Sequence, residues 1–495
     1  MSIGKIDCSG KCIRTECYKT MGVKQQLLSG AFYLTIAKYS NYFASIIVLS
    51  IVARILPPED FGIVAIASVI IGFFNLFSDF GIASAIIQNR NLSQNDIKNI
   101  FSLSFYAAGF FVIAYLIILY PINLIYQNSQ LLRINLILSI QLVFVSLNIV
   151  PNALIIKAKR FRFISIRTLV IHLLCGSLAI VCALLGWGIY SLLVIPLLSS
   201  LLILVVNYWA YPVEFTFRPA FASFKKILSY SLFNFSFNLV NYFSRNVDKL
   251  IIGKVETMAN LGYYEKSYSL MLMPVQNIIS ILNPVLHPVL SDYQDNKDLL
   301  YSYFVKLVKI LAYIGLPISV FLYFASPDLV HLILGPQWGP ASPIFQMFSI
   351  SVGAQILYTL QGPFFLALNE PKKMFYCGVV TFFFNITAIG MGLFVYKSLL
   401  AVALFLSLSY MLSFLFTFWI IVHKVFSRSF PRFILQLTRP VLVVLVVALA
   451  LASVPWCDVH SGYVLNILWK LLITGGAALF CMILFCKDIV RKKIV

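Results

Sequence analysis

Three charged side chains lie close together in an apolar stretch near the middle of the chain. The segment NYFSRNVDKLIIGK, residues 241–254, contains Arg245, Asp248 and Lys249 beside apolar residues typical of a membrane span. Arg245 and Lys249 are four positions apart and share one face of a helix, with Asp248 close to that face. Charges inside a bilayer are costly and usually functional, so this face is expected to point into a bundle or a water-filled cavity.

Two interpretations of these charges are open. In the first, Asp248 neutralises Arg245 and the group only packs helices together. In the second, which we favour, cations line a cavity between two lobes and bind an anionic cargo, with Asp248 pairing or tuning them. The predicted substrate-binding residues are Lys38, Arg245, Lys249, Lys306 and Lys309. Lys306 and Lys309 have an alternative role as interfacial lysines that extend to the cytoplasm.

Acidic side chains in apolar stretches are candidates for ion coupling, because an intramembrane acid can carry a proton or bind Na⁺. The candidates are Asp248, Asp79 in NLFSDFGIAS, and Glu265 in NLGYYEKSYS. For Asp79 the alternative is a hydrogen bond at a helix kink beside Gly81. For Glu265 the alternative is a position near the outer interface.

The composition is that of a membrane protein. The 495 residues are 61% hydrophobic and only 11% charged, whereas soluble proteins are about one quarter charged. Apolar runs of about 20 residues recur along the chain, which is the length needed to cross a bilayer. We therefore predict an all-α polytopic membrane protein with about 14 transmembrane helices. The predicted spans run about 32–54, 61–88, 99–121, 132–156, 165–187, 189–211, 229–252, 262–290, 303–325, 341–368, 374–396, 399–422, 439–455 and 464–486. The net charge of +20 is better explained by basic cytoplasmic loops than by nucleic-acid binding.

Several function classes are disfavoured by what the sequence contains. Its five histidines are scattered, and the spacing of Cys8, Cys12 and Cys17 matches no zinc pattern. We find no nucleotide-binding P-loop, and no loop is long enough to hold a catalytic domain. We therefore predict a transporter that is not an enzyme and has no cofactor, except for a coupling H⁺ or Na⁺.

The distribution of basic residues predicts the orientation in the membrane. With the N-terminus inside, about 26 Lys and Arg residues fall in cytoplasmic segments and about four outside, as the positive-inside rule requires. Both termini are therefore expected in the cytoplasm. The segment MGVKQQLLSG from Met21 resembles an ordinary start, so the first 20 residues are predicted to be an upstream extension. The predicted regions are a tail (1–30), an N-lobe with spans 1–6 (31–211), a linker (212–228), a C-lobe with spans 7–12 (229–423), a loop (424–438), spans 13 and 14 (439–486) and a basic tail (487–495).

An internal repeat relates the two predicted lobes at an offset of 200 residues. The segments are SNYFASIIVLSIVARILPPEDFG (40–62) and VNYFSRNVDKLIIGKVETMANLG (240–262). They share an NYF triplet, a cation before the loop (Arg54 and Lys254) and a final glycine (Gly62 and Gly262). Six spans per lobe give both lobes the same orientation, which predicts a parallel repeat about an axis along the membrane normal.

The charged residues of the second repeat have no counterparts in the first. Ser45, Val48 and Leu49 stand where the second repeat has its three charges, and the first repeat instead has Lys38, one turn before Asn41 and Tyr42. The two lobes thus share a scaffold but differ in charge. This asymmetry favours a role in substrate binding over a role in packing.

Two stretches carry a resemblance to a known family. ARILPPEDFGIVAIASVIIGFFNLFSDFGIASAIIQ (53–88) and DKLIIGKVETMANLGYYEKSYSLMLMPVQNIISILNPVLHPVLS (248–291) resemble the polysaccharide exporter (Wzx-type flippase) family. That family is part of the superfamily of multidrug, oligosaccharidyl-lipid and polysaccharide exporters. The similarity covers roughly residues 24–425 and is greatest to the colanic-acid and teichuronic-acid exporter branch.

The resemblance implies a fold and a function. The fold would have two six-helix lobes in a V around a central cavity, with two additional C-terminal helices. The function would be ion-coupled flipping of undecaprenyl-diphosphate-linked oligosaccharides from the inner to the outer leaflet of the bacterial cytoplasmic membrane, for surface polysaccharide synthesis. The expected partners are this lipid-linked glycan, the bilayer, and polysaccharide polymerase and chain-length machinery, with the protein as a monomer.

Three alternatives remain at this point. A multidrug exporter of the same superfamily would prefer an acidic cavity, and a peptidoglycan-precursor exporter would share most of the features above. A membrane polysaccharide polymerase or ligase belongs to another class and usually presents a large outer loop, whereas the outer loops here are short.

Overall fold

A computed structural model describes most of the chain. The described residues are 23–89, 92–291, 293–294, 296–453 and 462–485. The predicted upstream extension and the predicted basic tail at 487–495 lie outside these ranges, as does most of the segment between the last two predicted spans. Throughout the described residues the regular secondary structure is helical, with no β-strand.

Eighteen α-helices follow one another along the described part of the chain. The first nine are α1 (Val23–Ile55), α2 (Pro58–Asp79), α3 (Ile82–Gln88), α4 (Gln94–Tyr126), α5 (Ser129–Lys157), α6 (Phe161–Leu184), α7 (Ser191–Ala210), α8 (Phe221–Val255) and α9 (Met258–Ser291). The other nine are α10 (Lys297–Ile333), α11 (Ala341–Ser349), α12 (Val352–Tyr358), α13 (Gln361–Ala367), α14 (Pro371–Gly390), α15 (Leu399–Trp419), α16 (Phe430–Leu435), α17 (Thr438–Ala452) and α18 (Tyr463–Phe485).

The prediction of an all-α polytopic membrane protein is confirmed. Among the described residues, nine helical segments are long and apolar enough to cross a bilayer, or ten if one bent pair counts as a single span. The more polar α1, α8 and α9 have 33, 35 and 34 residues. At 1.5 Å per residue such helices are about 50 Å long, so they also have the length of a span. The count of 14 spans stays a prediction.

Local sequence signals explain where several helices begin and end. Helix α2 begins at Pro58 and carries Glu59 and Asp60 in its first turn, where a fixed φ and negative charge are favoured. It is separated from α3 by Phe80 and Gly81, which both have positive φ angles (38° and 73°). Helix α8 begins at Phe221, eight residues before the predicted seventh span, because its apolar pattern extends into the predicted linker.

The predicted tenth span, residues 341–368, is not one straight helix. It is a bent pair, α11 followed by α12 and α13, with an angle of 48° at the break. A break inside a membrane frees backbone amides, which need a partner within the protein. The amide of Gly353 donates to the hydroxyl of Ser319 on α10 at 2.5 Å, so a serine of the neighbouring helix compensates for the break.

The chain divides into two compact units, each assembled from several segments. The first contains the described residues up to Val48, together with Ser78–Ala114 and Leu138–Leu232; the second contains Leu49–Phe77, Tyr115–Ile137 and the described residues from Phe233 onward. These divisions pass through individual helices, and they differ from the predicted lobe boundaries, of which the one at residue 229 also lies inside a helix, α8. The lobe boundaries therefore stay a prediction.

The first unit contains an apolar core and a buried polar cluster. Ile86, Ile100 and Val150 of the core are fully buried. In the polar cluster, the Arg167 guanidinium of α6 donates to the Asn207 side-chain carbonyl of α7. The Asn207 amide in turn donates to Asn148 on α5 at 2.7 Å. Buried polar groups are costly unless they are hydrogen-bonded, so this network helps to join three apolar helices.

In the second unit, the long helix α10 packs against α11, α12, α17 and α18. A buried ion pair fixes α18 to α10: the Lys470 ammonium lies 2.7 Å from the Asp328 carboxylate, and these side chains are 10% and 9% exposed. The Lys470 ammonium also donates to the carbonyl of Phe324 at 3.1 Å. The last predicted span is therefore attached to α10 through a charge pair, while α17 packs against α10 through apolar side chains.

Candidate functional site

An ion pair joins two of the predicted site residues across the turn between α8 and α9. The Lys249 ammonium lies 2.9 Å from the Glu265 carboxylate, with the side chains 14% and 19% exposed. Lys249 precedes the end of α8 by six residues and Glu265 follows the start of α9 by seven. The two helices are joined by a short turn at residues 256–257, so these positions meet at the same depth.

Asp248 is held by a tyrosine. Its carboxylate accepts a hydrogen bond of 2.6 Å from the Tyr264 hydroxyl, and both residues are buried, at 6% and 0% exposure. The second carboxylate oxygen, Oδ1, is buried and has no hydrogen-bond partner among the described residues. A buried polar atom without a partner is costly, so this oxygen is a candidate acceptor for a bound ion or proton.

Tyrosines surround the charges. The rings of Tyr264 and Tyr268 stack with centroids 6.2 Å apart, and the hydroxyl of Tyr268 lies 3.3 Å from that of Tyr410 on α15. The Lys249 ammonium lies 5.8 Å from the centre of the Tyr268 ring, within the range of cation–π attraction. We did not select these tyrosines from the sequence, although the i, i+4 spacing of Tyr264 and Tyr268 places both on the face of α9 that meets α8.

Arg245 differs from its neighbours because its side chain is exposed. The described residues include no ion pair between Arg245 and Asp248, so the described partner of Asp248 is a hydroxyl. The predicted cationic face also contains a second acid, since Glu265 pairs with Lys249. The positive charges of Arg245 and Lys249 are therefore matched in number by the carboxylates of Asp248 and Glu265. We call Arg245, Asp248, Lys249, Glu265 and the three tyrosines the charge cluster.

The other predicted cations lie elsewhere in the two units. Lys38 is exposed on α1 in the first unit. On α10 in the second unit, Lys306 is exposed and Lys309 is half-buried. Their contact with a cargo stays a prediction.

Asp79 occupies the helix break between α2 and α3. Its carboxylate accepts a 3.3 Å hydrogen bond from the amide of Ala83, beside the left-handed Phe80 and Gly81. This geometry matches the alternative of a hydrogen bond at a helix kink. A coupling role for Asp79 stays a prediction.

The charge cluster is suited to electrostatic binding. Charges attract each other more strongly in a low-dielectric site than in water, and exposed Arg245 is placed to receive an anion without breaking a described ion pair. An anion at Lys249 would have to compete with Glu265. Among the described residues, no group of three or more His, Cys, Asp or Glu side chains is arranged to hold a metal ion.

Comparison with known proteins gives consistent results. Residues 51–343 match the family described as "Polysaccharide biosynthesis protein". The lipopolysaccharide biosynthesis protein WzxC of Escherichia coli is 24% identical over 436 residues, covering 85% of this chain and 86% of WzxC. The teichuronic acid biosynthesis protein TuaB of Bacillus subtilis is 23% identical over 477 residues, covering 93% and 96%. The succinoglycan biosynthesis transport protein ExoT of Rhizobium meliloti is 21% identical, covering 84% and 83%.

Solved structures support the same fold. The lipid II flippase MurJ in an inward closed conformation superposes with a TM-score of 0.73 at 15% identity, covering 92% of this chain and 99% of MurJ. An inward-facing multidrug transporter of the MATE family superposes with a TM-score of 0.60 at 16% identity, covering 79% and 96%. The fold is therefore that of these transporters. Because the family match spans more than half of its length, the chain belongs to the polysaccharide biosynthesis protein family.

Proposed function

We propose that this protein is a flippase for undecaprenyl-diphosphate-linked oligosaccharides. It moves repeat units from the inner to the outer leaflet of the bacterial cytoplasmic membrane by alternating access, for the synthesis of a surface polysaccharide. The family match and the transporter fold support transport of polysaccharide precursors. The named relatives act in polysaccharide biosynthesis or its transport.

The observation that carries this proposal is the exposed Arg245 beside buried charges on a helix that resembles a membrane span. A diphosphate is strongly anionic, and charge-assisted hydrogen bonds to arginine are stronger than neutral ones. The sugar portion differs between pathways, whereas the diphosphate is common to all lipid-linked precursors of this class. Arg245 is therefore proposed to bind the constant part of the cargo.

The arrangement in the membrane is part of the proposal. The excess of Lys and Arg on one side of the predicted spans supports cytoplasmic N- and C-termini. The protein is proposed to act as a monomer in the inner membrane and to deliver its cargo to a polysaccharide polymerase and the associated chain-length machinery.

Deletion of the protein in its native cell tests the proposed function. The expected result is accumulation of an undecaprenyl-diphosphate-linked glycan that stays inaccessible from the outside, identified by mass spectrometry of extracted lipids. Accumulation of lipid II instead would indicate a peptidoglycan-precursor exporter. Unchanged lipids with increased sensitivity to cationic drugs would indicate a multidrug exporter.

We further propose that transport is coupled to a H⁺ or Na⁺ gradient through Asp248. Of the three candidate acids, Asp79 accepts a bond from a helix amide and Glu265 pairs with Lys249. Of these three acids, Asp248 is the one that is buried, and its Oδ1 atom has no side-chain hydrogen-bond partner among the described residues. An ion bound there would satisfy that oxygen.

Asp248→Asn is expected to uncouple transport while preserving the shape of the side chain and its bond from Tyr264. One charge crossing 100 mV gains about 2.3 kcal/mol, so wild-type protein would concentrate cargo roughly 50-fold while the variant would only equilibrate it. The measurement is flipping in vesicles with and without imposed proton or sodium gradients. Asp298→Asn, which alters an exposed ion pair, is the matched control. A normal response of Asp248→Asn to both gradients would place coupling elsewhere.

A further inference from the structure

The two repeat glycines lie against each other in the second unit. A Cβ atom on Gly62 of α2 would lie 1.9 Å from the carbonyl oxygen of Met258, and one on Gly262 of α9 would lie 2.0 Å from that of Pro58. The first turns of α2 and α9 are therefore in backbone contact, which only glycine permits. The contact is reciprocal. Gly62 meets Met258, four positions before Gly262, and Gly262 meets Pro58, four positions before Gly62.

The two repeat cations show the same reciprocity. Arg54, at the end of α1, donates to the carbonyl of Leu332 near the end of α10 at 2.6 Å. Lys254, at the end of α8, donates to the carbonyl of Ile125 near the end of α4 at 2.5 Å. Carbonyls at a helix C-terminus lack intrahelical partners and carry partial negative charge, so they favour a cation.

The cations exchange partners between repeats. Helix α4 is the third predicted span of the first repeat, and α10 is the third predicted span of the second. Arg54 of the first repeat thus binds the second, and Lys254 of the second binds the first. Both cations are exposed, so each bond can break without leaving a buried charge.

Two aromatic side chains add further hydrogen bonds between the repeats at the same ends of α1 and α8. The buried Trp338 indole donates to the carbonyl of Ala53 at 2.8 Å, and the Tyr126 hydroxyl donates to that of Leu250 at 3.0 Å. Trp338 follows the end of α10 and Tyr126 is the last residue of α4. These are the two helices whose carbonyls bind Arg54 and Lys254. The last turns of α1 and α8 are therefore each held by the third span of the other repeat.

We infer that Arg54 and Lys254 are paired gating residues that hold the two repeats together at this end, which the charge distribution predicts to be the outer end. The inference rests on the proposed flippase function, because alternating access requires the repeats to separate at one end during each cycle. A backbone contact between glycines has no interlocking side chains to disengage. The two exposed cations supply polar bonds that are replaced by water when the repeats separate.

Spin labels at the exposed Glu59 and Thr257 test this inference in the full-length chain, with its nine cysteines replaced. Glu59 lies in the first turn of α2 and Thr257 in the turn just before α9, which are matching ends of the two repeats, so the distance between the labels reports opening. With both bonds intact, a short distance should dominate in electron paramagnetic resonance. In Arg54→Ala with Lys254→Ala, the ratio of long to short distances is expected to rise about 3- to 30-fold, with a smaller rise in each single variant.

Three further variants sharpen the test. Lys397→Ala removes another exposed lysine near an outer turn and should leave the distances unchanged. Arg54→Lys with Lys254→Arg keeps both cations and should retain the short distance. Gly262→Ala leaves the charges intact but cannot fit against Pro58, so it should also favour the long distance.

An unchanged distance distribution in the double alanine variant would overturn the inference. So would an equal increase in Lys397→Ala, because any loss of surface charge would then have the same effect. The distances are measured without cargo, so they remain informative if the chain transports something other than a lipid-linked oligosaccharide. Failure of the gate and failure of the proposed function are thus distinguishable.

Discussion

Arg245→Ala is expected to reduce export of the lipid-linked oligosaccharide by at least about tenfold, equivalent to about 1.4 kcal/mol. Arg245 is exposed on α8, so its removal should change the free energy of unfolding by no more than about 0.5 kcal/mol. The measurement is surface polysaccharide in a deletion strain that expresses the variant, together with the amount of protein in the membrane.

Arg133→Ala is the matched control for this variant. Arg133 is an exposed arginine of α5, and no described ion pair involves it. Its replacement should leave both surface polysaccharide and membrane protein at wild-type amounts. Wild-type polysaccharide in the Arg245→Ala strain would contradict the proposal that this residue binds cargo.

Lys249 needs a different design, because its ion pair makes a simple deletion ambiguous. Lys249→Ala would leave the half-buried Glu265 without its cation, and breaking a fully buried pair typically costs about 3–5 kcal/mol, so part of any loss of export would come from instability. Lys249→Met combined with Glu265→Gln removes both charges together. We expect this double variant to restore the protein in the membrane but not export. Recovery of export would show that the pair is only structural.

Lys470→Ala is expected to destabilise the protein by about 3–5 kcal/mol, because it leaves the buried Asp328 carboxylate without its cation. Combining Lys470→Met with Asp328→Leu should recover most of the loss, since replacing both members of a buried pair by apolar groups is often neutral or stabilising. The measurement is thermal unfolding of purified protein in lipid nanodiscs.

An exposed ion pair provides the control for this prediction. Arg428 and Asp298 are 50% and 81% exposed, so Arg428→Ala should cost no more than about 1 kcal/mol. A loss of similar size for Arg428→Ala and Lys470→Ala would contradict the role given to burial. Failure of the double variant to recover stability would show that the ion pair does more than join α18 to α10.

The repeat was the most informative feature of the sequence. It aligned Gly62 with Gly262 and Arg54 with Lys254, and the structure gives both pairs reciprocal contacts. These pairs could be found from the sequence because the two repeats form the same helix–turn–helix unit. The same geometry needs the same residue types at the same spacing. The all-α membrane fold was predictable for a similar reason, since a bilayer requires long apolar helices.

The partners within the charge cluster were not predictable. Glu265 was selected as a candidate for ion coupling, and nothing in its spacing shows that its carboxylate reaches Lys249, because the contact depends on how α8 and α9 rotate about their axes. The face with Arg245 and Lys249 was expected to be cationic, whereas Asp248 and Glu265 balance it.

Two long-range features also lack a sequence signal. Asp328 and Lys470 are 142 positions apart, and each alone resembles a charge near the end of a membrane helix. The break in the predicted tenth span depends on Ser319 of another helix, which accepts a bond from the amide of Gly353. Both features arise from packing between helices, which periodicity within one helix does not report.

Transport by the purified protein tests the central claim most directly. The protein is reconstituted into vesicles with a fluorescent undecaprenyl-diphosphate-linked oligosaccharide in one leaflet, and appearance of the glycan in the other leaflet is followed with a membrane-impermeant quencher. We predict rapid transfer by the wild type and at least about tenfold slower transfer by Arg245→Ala. Transfer at the protein-free rate by the wild type, in vesicles where it does transport a cationic dye, would contradict the claim.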